Sequence, residues 1–317
     1  MGFKVGSGSA LQAAKQTTWG TPVSPSVLLN MTSESIQTAI NKGDEGNLLA
    51  TKTASQRDTL SIVVDGGVST ILRPEFADWL FEVAMGKVSS GVYTLQDPKV
   101  ELPFSTLVLS RGGIVKTYPD VTIRSLTINA PAQDYVRADI DLVGTKEIKA
   151  GATGAQTLAS LAFTKPSYRC TKAVLKYGAG GTAAGSLVST LCAENTTITI
   201  DNGVEDSPAT YCSGLYNERP IPGLRSINVQ CTIPYSTELD TFRNTYFEDE
   251  SSPCVALYLE FTTSDATEKI SIYLPNVNLT AAGGNVNGPG IIDGSFEGEA
   301  LSIGSTEAIT VTVTHAE

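Results

Sequence analysis

Histidine is almost missing from this 317-residue chain, in which His315 is the only one. Ser-His-Asp and Cys-His arrangements would have to be built on that residue, which reads as a solvated tail side chain rather than a base. There is no G-x-x-x-x-G-K-[ST] run and no dinucleotide fingerprint after a strand. The glycines from Gly283 to Gly290 are interrupted by Pro289, and no helix follows to complete a phosphate cradle. The cysteines Cys170, Cys192, Cys212, Cys231 and Cys254 form no C-x-x-C pair and read as reduced, mostly buried thiols. The carboxylate pairs Glu205/Asp206 and Asp249/Glu250 read as solvated turns, not calcium loops. No apolar run approaches the roughly 20 residues that span a bilayer. The opening MGFKVGSGSA lacks the basic-then-apolar order of a secretory signal, so cytoplasmic synthesis without export is expected. The chain therefore reads as non-enzymatic, with no cofactor and no metal.

Basic charge is also scarce. Lys and Arg number 22 against 33 Asp and Glu, a formal net charge of −11. A protein that grips nucleic acid by its phosphates needs clustered cations; an acidic one repels polyanions and stays soluble. What the chain does have is Thr, Ser, Gly and Val with few helix-forming runs, which favours a mainly β class.

One order of elements occurs twice. A short strand, Ser61–Asp65, precedes a helix over Pro74–Ala84, whose Phe76, Trp79, Leu80 and Val83 share a face; Pro74 suits its first turn and Gly86 its stop. Strands over Thr106–Ser110, Val121–Asn129 and Val136–Val143 follow. In the second half the order is strand Ser226–Ile233, helix Thr237–Phe247, then strands Val255–Phe261, Ile270–Leu279 and Ile291–Leu301. SIQTAINKGD (Ser35–Asp44) precedes the first block and TITIDNGVED (Thr197–Asp206) the second, so that Ile36 leads to Ile62 as Ile198 leads to Ile227. The pattern predicts a duplication; the alternative is one large β domain. Around these blocks lie an N-terminal arm over 1–33, a first domain over 34–145 with a long loop at 87–103, a connector over 146–167, and a second domain over 168–317 with a final strand at 308–315. Trp19, in a polar turn-rich arm, calls for a pocket, expected on a neighbouring molecule.

Several stretches, in order, resemble the tail tube proteins of long, non-contractile (siphophage-type) bacteriophage tails. They are Val5-Gly6, Leu11-Gln12-Ala13-Ala14-Lys15, Thr18-Trp19-Gly20-Thr21-Pro22 and Ile71-Leu72-Arg73-Pro74-Glu75-Phe76 in the first half. In the second half they are Thr199–Glu205, Ile221-Pro222-Gly223-Leu224-Arg225 and Leu274–Thr280. The resemblance implies two tandem β-sandwich or half-barrel domains, each with one flanking α-helix. It implies homotrimeric, pseudo-hexameric rings (or hexamers) with a continuous inner β-barrel, stacked into a virion tube. It also implies as partners a tape-measure protein and genomic DNA in the lumen, and tail initiation and terminator proteins. The alternating strands put Asp139, Asp141, Asp293, Glu297 and Glu299 on polar faces, the candidates for lining a lumen; the alternative is an ordinary solvated outer face. Phe3, Leu11, Trp19, Val92 and Tyr93 are the candidates for contact between rings, and deletion of residues 1–22 is expected to leave folded subunits that do not grow into tubes. A tail terminator or a carbohydrate-binding β-sandwich are the competing functions.

Overall fold

The computed structural model describes residues 6–44, 57–97, 99–204, 214–216, 218–220, 222–248, 254–285 and 292–316. Strands dominate. The first half runs β1 (Ala10–Lys15), β2 (Val27–Leu29), β3 (Met31–Glu34), β4 (Gln37–Asp44), β5 (Arg57–Ile71), α1 (Pro74–Met85), β6 (Gly86–Ser89), β7 (Val92–Leu95), β8 (Ser105–Arg111), β9 (Ile114–Pro131), β10 (Arg137–Gly144) and β11 (Ile148–Lys149). The second runs β12 (Arg169–Ala179), β13 (Ser189–Leu191), β14 (Asn195–Asp201), β15 (Ser226–Pro234), α2 (Thr237–Tyr246), β16 (Val255–Thr262), β17 (Lys269–Asn285), β18 (Asp293–Ala300) and β19 (Thr310–Thr314).

The two helices form for different reasons. α1 begins on Pro74 and stops where Gly86 takes φ 97°, a conformation that suits a residue without Cβ. Phe76, Leu80, Phe81 and Met85 are fully buried on it, and Trp79 Nε1 donates to Ser105 Oγ at 3.1 Å. α2 is amphipathic. The Ser236 hydroxyl caps its N-terminus by accepting from the Leu239 N–H (3.4 Å), Glu238 and Asp240 sit in the first turn, and Leu239 and Phe242 are its buried residues.

Strand pairing follows one pattern in both halves. β1 pairs with β2 and β8, β8 with β9, β9 with β10, β10 with β5, and β5 with β4. Likewise β12 pairs with β13 and β16, β16 with β17, β17 with β18, β18 with β15, and β15 with β14. The registers correspond too. Leu11 faces Leu29 and Leu109 as Leu175 faces Leu191 and Leu259. The β8–β9 ladder breaks between Ser105 and Leu107, and the β16–β17 ladder between Val255 and Leu257. A second break falls beside Arg124 in β9 and beside Thr280 in β17. Such bulges bend a strand, so each long strand can serve two sheet segments.

Three expectations need correction. Within the stretch read as an N-terminal arm, β1 and β2 form a core hairpin: Leu11 and Ala13 are fully buried, and β1–β2 has its counterpart in β12–β13. The stretch read as a long loop at 87–103 contains the β6–β7 hairpin, whose β7 pairs with β19 from the far end of the chain. Finally, Ile227 lies opposite Ile200, but Ile62 lies opposite Ile40; the residue that occupies the place of Ile227 is Val64.

The halves share one sheet and one core. β9 pairs with β14 from Ser125–Asp201 to Pro131–Asn195, and the buried side chains form a contiguous cluster across both halves. The connector lies against the first half, where Gln12 exchanges hydrogen bonds with Ala159, the Arg73 guanidinium covers the Phe163 ring, and Arg73 Nη1 donates to Lys165 O (2.7 Å). Among the described residues the sheet is not closed on itself.

Candidate functional site

The sheet β5–β10–β9–β14–β15–β18–β17 has two unlike faces. Val68, Ile140, Leu126, Ile198, Val229, Cys231 and Phe296 are buried on one. Period-two alternation sends their neighbours to the other. There, one row crosses all seven strands: Ser69 beside Asp139, then Thr127, Thr199, Asn228, Glu299 and Asn278. The next row reads Arg137, Asn129, Thr197, Gln230, Glu297 and Ala281.

The two rows carry hydroxyls, amides and carboxylates, with Arg137 and Ala281 the exceptions. Asp139, Asp141, Asp293, Glu297 and Glu299 all lie on this side of the sheet, so the structure brings the five carboxylates onto one continuous face. Asp201 joins them from β14, a position that alternation in TITIDN made legible. Arg124, at the β9 bulge, donates to Asp65 (3.3 Å) and Asp141 (3.1 Å) and offsets part of the charge. Elsewhere Ser69 donates to Asp139 (2.5 Å), and Gln230 Nε2 to Glu297 (2.8 Å). At the seam between the halves, the Thr127 and Thr199 hydroxyls are 3.1 Å apart.

The other candidates do not assemble into a surface. Leu11 and Tyr93 are core residues, the Tyr93 hydroxyl donating to Asp78 at 2.6 Å. Burial, with Asp78 beside it, pushes the Tyr93 phenol far above its usual pKa. Trp19 finds its pocket in its own chain, edge-on to Phe104 at 5.1 Å with the Arg219 guanidinium over both rings. Val92 is half-buried opposite Thr312 of β19. Phe3 lies outside the described residues.

His315 is not a free tail side chain. Its Nδ1 lies 2.6 Å from Glu268 Oε2 and its Nε2 2.7 Å from Asp78 Oδ2. Lys165 Nζ takes the other Glu268 oxygen at 2.5 Å. Burial works against a charged ring here, but the bonds and charges of Glu268 and Asp78 outweigh it and raise the His315 pKa above 6.5. Burial also opposes the Glu268 charge, and Lys165 and His315 outweigh it and hold that carboxyl below its usual range. This cluster ties the chain's last strand to α1 and the connector. Among the described residues, no group of three His, Cys, Asp or Glu side chains is arranged to hold a metal.

The family model described as phage tail tube protein matches residues 6–300. No curated protein matches the sequence. The chain belongs to the phage tail tube protein family, and it is a structural component of the virion tail.

Proposed function

From membership of that family and a sheet with one acidic, polar face, we propose that this chain is a wall segment of a hollow tail tube. Its two halves are duplicated units, covering about 10–149 and 169–314. Three chains supply six such units to a ring, the polar face turns inward, and rings stack into the conduit for the genome and for the tape-measure protein that sets its length. Tail initiation and terminator proteins begin and end the stack.

The observation that carries this reading is the β9–β14 seam, where the end of one unit continues the sheet into the next without a gap. A unit that can extend a sheet on one side and receive an extension on the other closes when the curvature brings the last edge to the first, and closure removes unpaired strand edges. A head-to-tail contact repeated along the axis gives an open-ended tube. Carboxylates, hydroxyls and amides facing the bore give DNA phosphates no cation cluster to neutralise them, so the genome slides without adhering.

The test is electron microscopy of the purified protein at high concentration. Hollow tubes with three chains per ring are expected. A protein that stays monomeric contradicts the reading, and one that halts at single rings fits a tail terminator instead.

A further inference from the structure

The chain completes one strand junction internally and leaves both sides of an equivalent one open. β17, the counterpart of β9, pairs with β18 along Val277–Asn285, and among the described residues no strand takes its other edge beyond Val277. Among the described residues β4, the counterpart of β14, pairs with β5 alone.

The direction of the backbone groups fixes how these edges can meet. The Ser35 N–H donates to Gly67 O on β5 at 2.9 Å. In an antiparallel ladder the next residues alternate, so the peptide groups of Ile36 and Thr38 point away from β5. On β14 the Asn202 N–H donates to Arg124 O of β9 at 2.9 Å, and the same parity aims Ile198 and Ile200 at β9. Ile36 and Thr38 hold the places of Ile198 and Ile200. Ile40 holds that of Asn202, which is fully buried at the internal junction, whereas Ile40 is 51% exposed.

At Ile36 the outward groups are already occupied. Its N–H donates to Glu34 Oε2 (3.1 Å) and its C=O accepts from Arg111 Nη2 (2.5 Å). Arg111 in turn clamps Glu34 through Nε to Oε1 (2.7 Å) and Nη2 to Oε2 (2.6 Å). Two side chains thus stand in for a neighbouring strand, as guards do on exposed sheet edges.

Resting on the tube reading above, we infer that the outer edge of β4, from Ile36 to Ile40, takes the outer edge of β17, from Thr280 to Gly284, of a second copy of this chain, in the register of β9 and β14, once Glu34 and Arg111 release Ile36. Ile36 then lies opposite Gly284, Thr38 opposite Ala282, and Gln37 opposite Gly283. The Gln37–Gly283 pair repeats the place of Thr199 and Thr127, a non-hydrogen-bonded pair whose side chains are close. Gly283 has open space where a Cβ would project.

Non-hydrogen-bonded pairs suit disulfides, so the test is cross-linking of Gln37→Cys with Gly283→Cys in assembled protein. Chains carrying both substitutions are expected to give covalent trimers on oxidation. Chains carrying one each, mixed, give dimers, and Thr127→Cys with Thr199→Cys closes a bond within one chain. Gln37→Cys with Ala281→Cys, two residues out of register, gives none. In the unsubstituted protein, the amides of Thr38, Ala282 and Gly284 gain hydrogen-exchange protection on assembly, which reads the junction if a double variant does not assemble. Arg111→Gln, which removes the guard, speeds assembly. Tubes that form without the 37–283 link and without protection at those amides overturn the register while leaving the tube reading intact; unchanged assembly of a folded Arg111→Gln protein overturns the guard. If the unsubstituted protein never forms rings, the tube reading itself fails.

Discussion

Asn202 shows how much one polar side chain can hold at the seam between the halves. Fully buried at the end of β14, its Nδ2 donates at 3.0 Å to Ala84 O at the end of α1 and at 3.0 Å to Ile123 O in β9. Asn202→Ala leaves both carbonyls without that donor, at a cost of about 1–3 kcal/mol for each, and a lower urea midpoint with an unchanged slope checks it. His315 adds a pH dependence. Its pKa is raised on folding, so the stability it contributes is fully present below pH 6.5 and is lost as pH rises through the raised value. Glu268, whose pKa is lowered from 4.5, contributes stability that is lost as pH falls through its own value. The stability gap between the parent and His315→Gln is therefore expected to be widest between pH 4.5 and 6.5 and to shrink above it, as read from melting temperatures across that range.

At the scale of elements, α2 rests on a few aromatic contacts. Phe242 lies 5.0 Å from Phe296 and 5.2 Å from Tyr177, ring centre to ring centre. Phe242→Ala is expected to cost about 3–5 kcal/mol, measured by denaturant unfolding. Deletion of residues 1–22 removes β1, with Leu11 and Ala13 buried and Gln12 and Gln16 bonded inside. Leu11 alone accounts for about 1.5–3 kcal/mol of burial. The truncated protein is expected to misfold, seen as aggregation on sizing and loss of cooperative melting, rather than to give folded subunits that fail to stack. The main strands and both helices were legible in the sequence because alternation and the i, i+3, i+4 spacing survive in β10, β18 and α1. The first hairpin was not, because its two strands are short and Gly/Pro-rich segments flank them. Its signal lay in leucines matched across the halves: Leu11, Leu29, Leu107 and Leu109 against Leu175, Leu191, Leu257 and Leu259. The five wall carboxylates were legible from alternation on single strands. Their union on one face was not, because it depends on the β9–β14 pairing between distant segments. Leu11 and Tyr93 show the converse error, in which apolar residues in segments read as exposed turned out to fill the chain's own core.

For the whole molecule, the question is which way the polar wall faces. Replacing Asp139, Asp141, Asp293, Glu297 and Glu299 together by lysine turns a repelling surface into one that releases counterions on binding DNA. Particles carrying these substitutions are expected to retain or stall DNA in a salt-dependent way, while unchanged ejection removes these residues from the bore. The most direct measurement is a cryo-electron microscopy map of the assembled protein. Three chains around each ring, an unbroken β wall through β9–β14 and β17–β4, and Asp139 and Glu297 facing the bore are the expected result. A ring whose bore is lined by α1 and α2, or whose chains meet without a shared sheet, contradicts it.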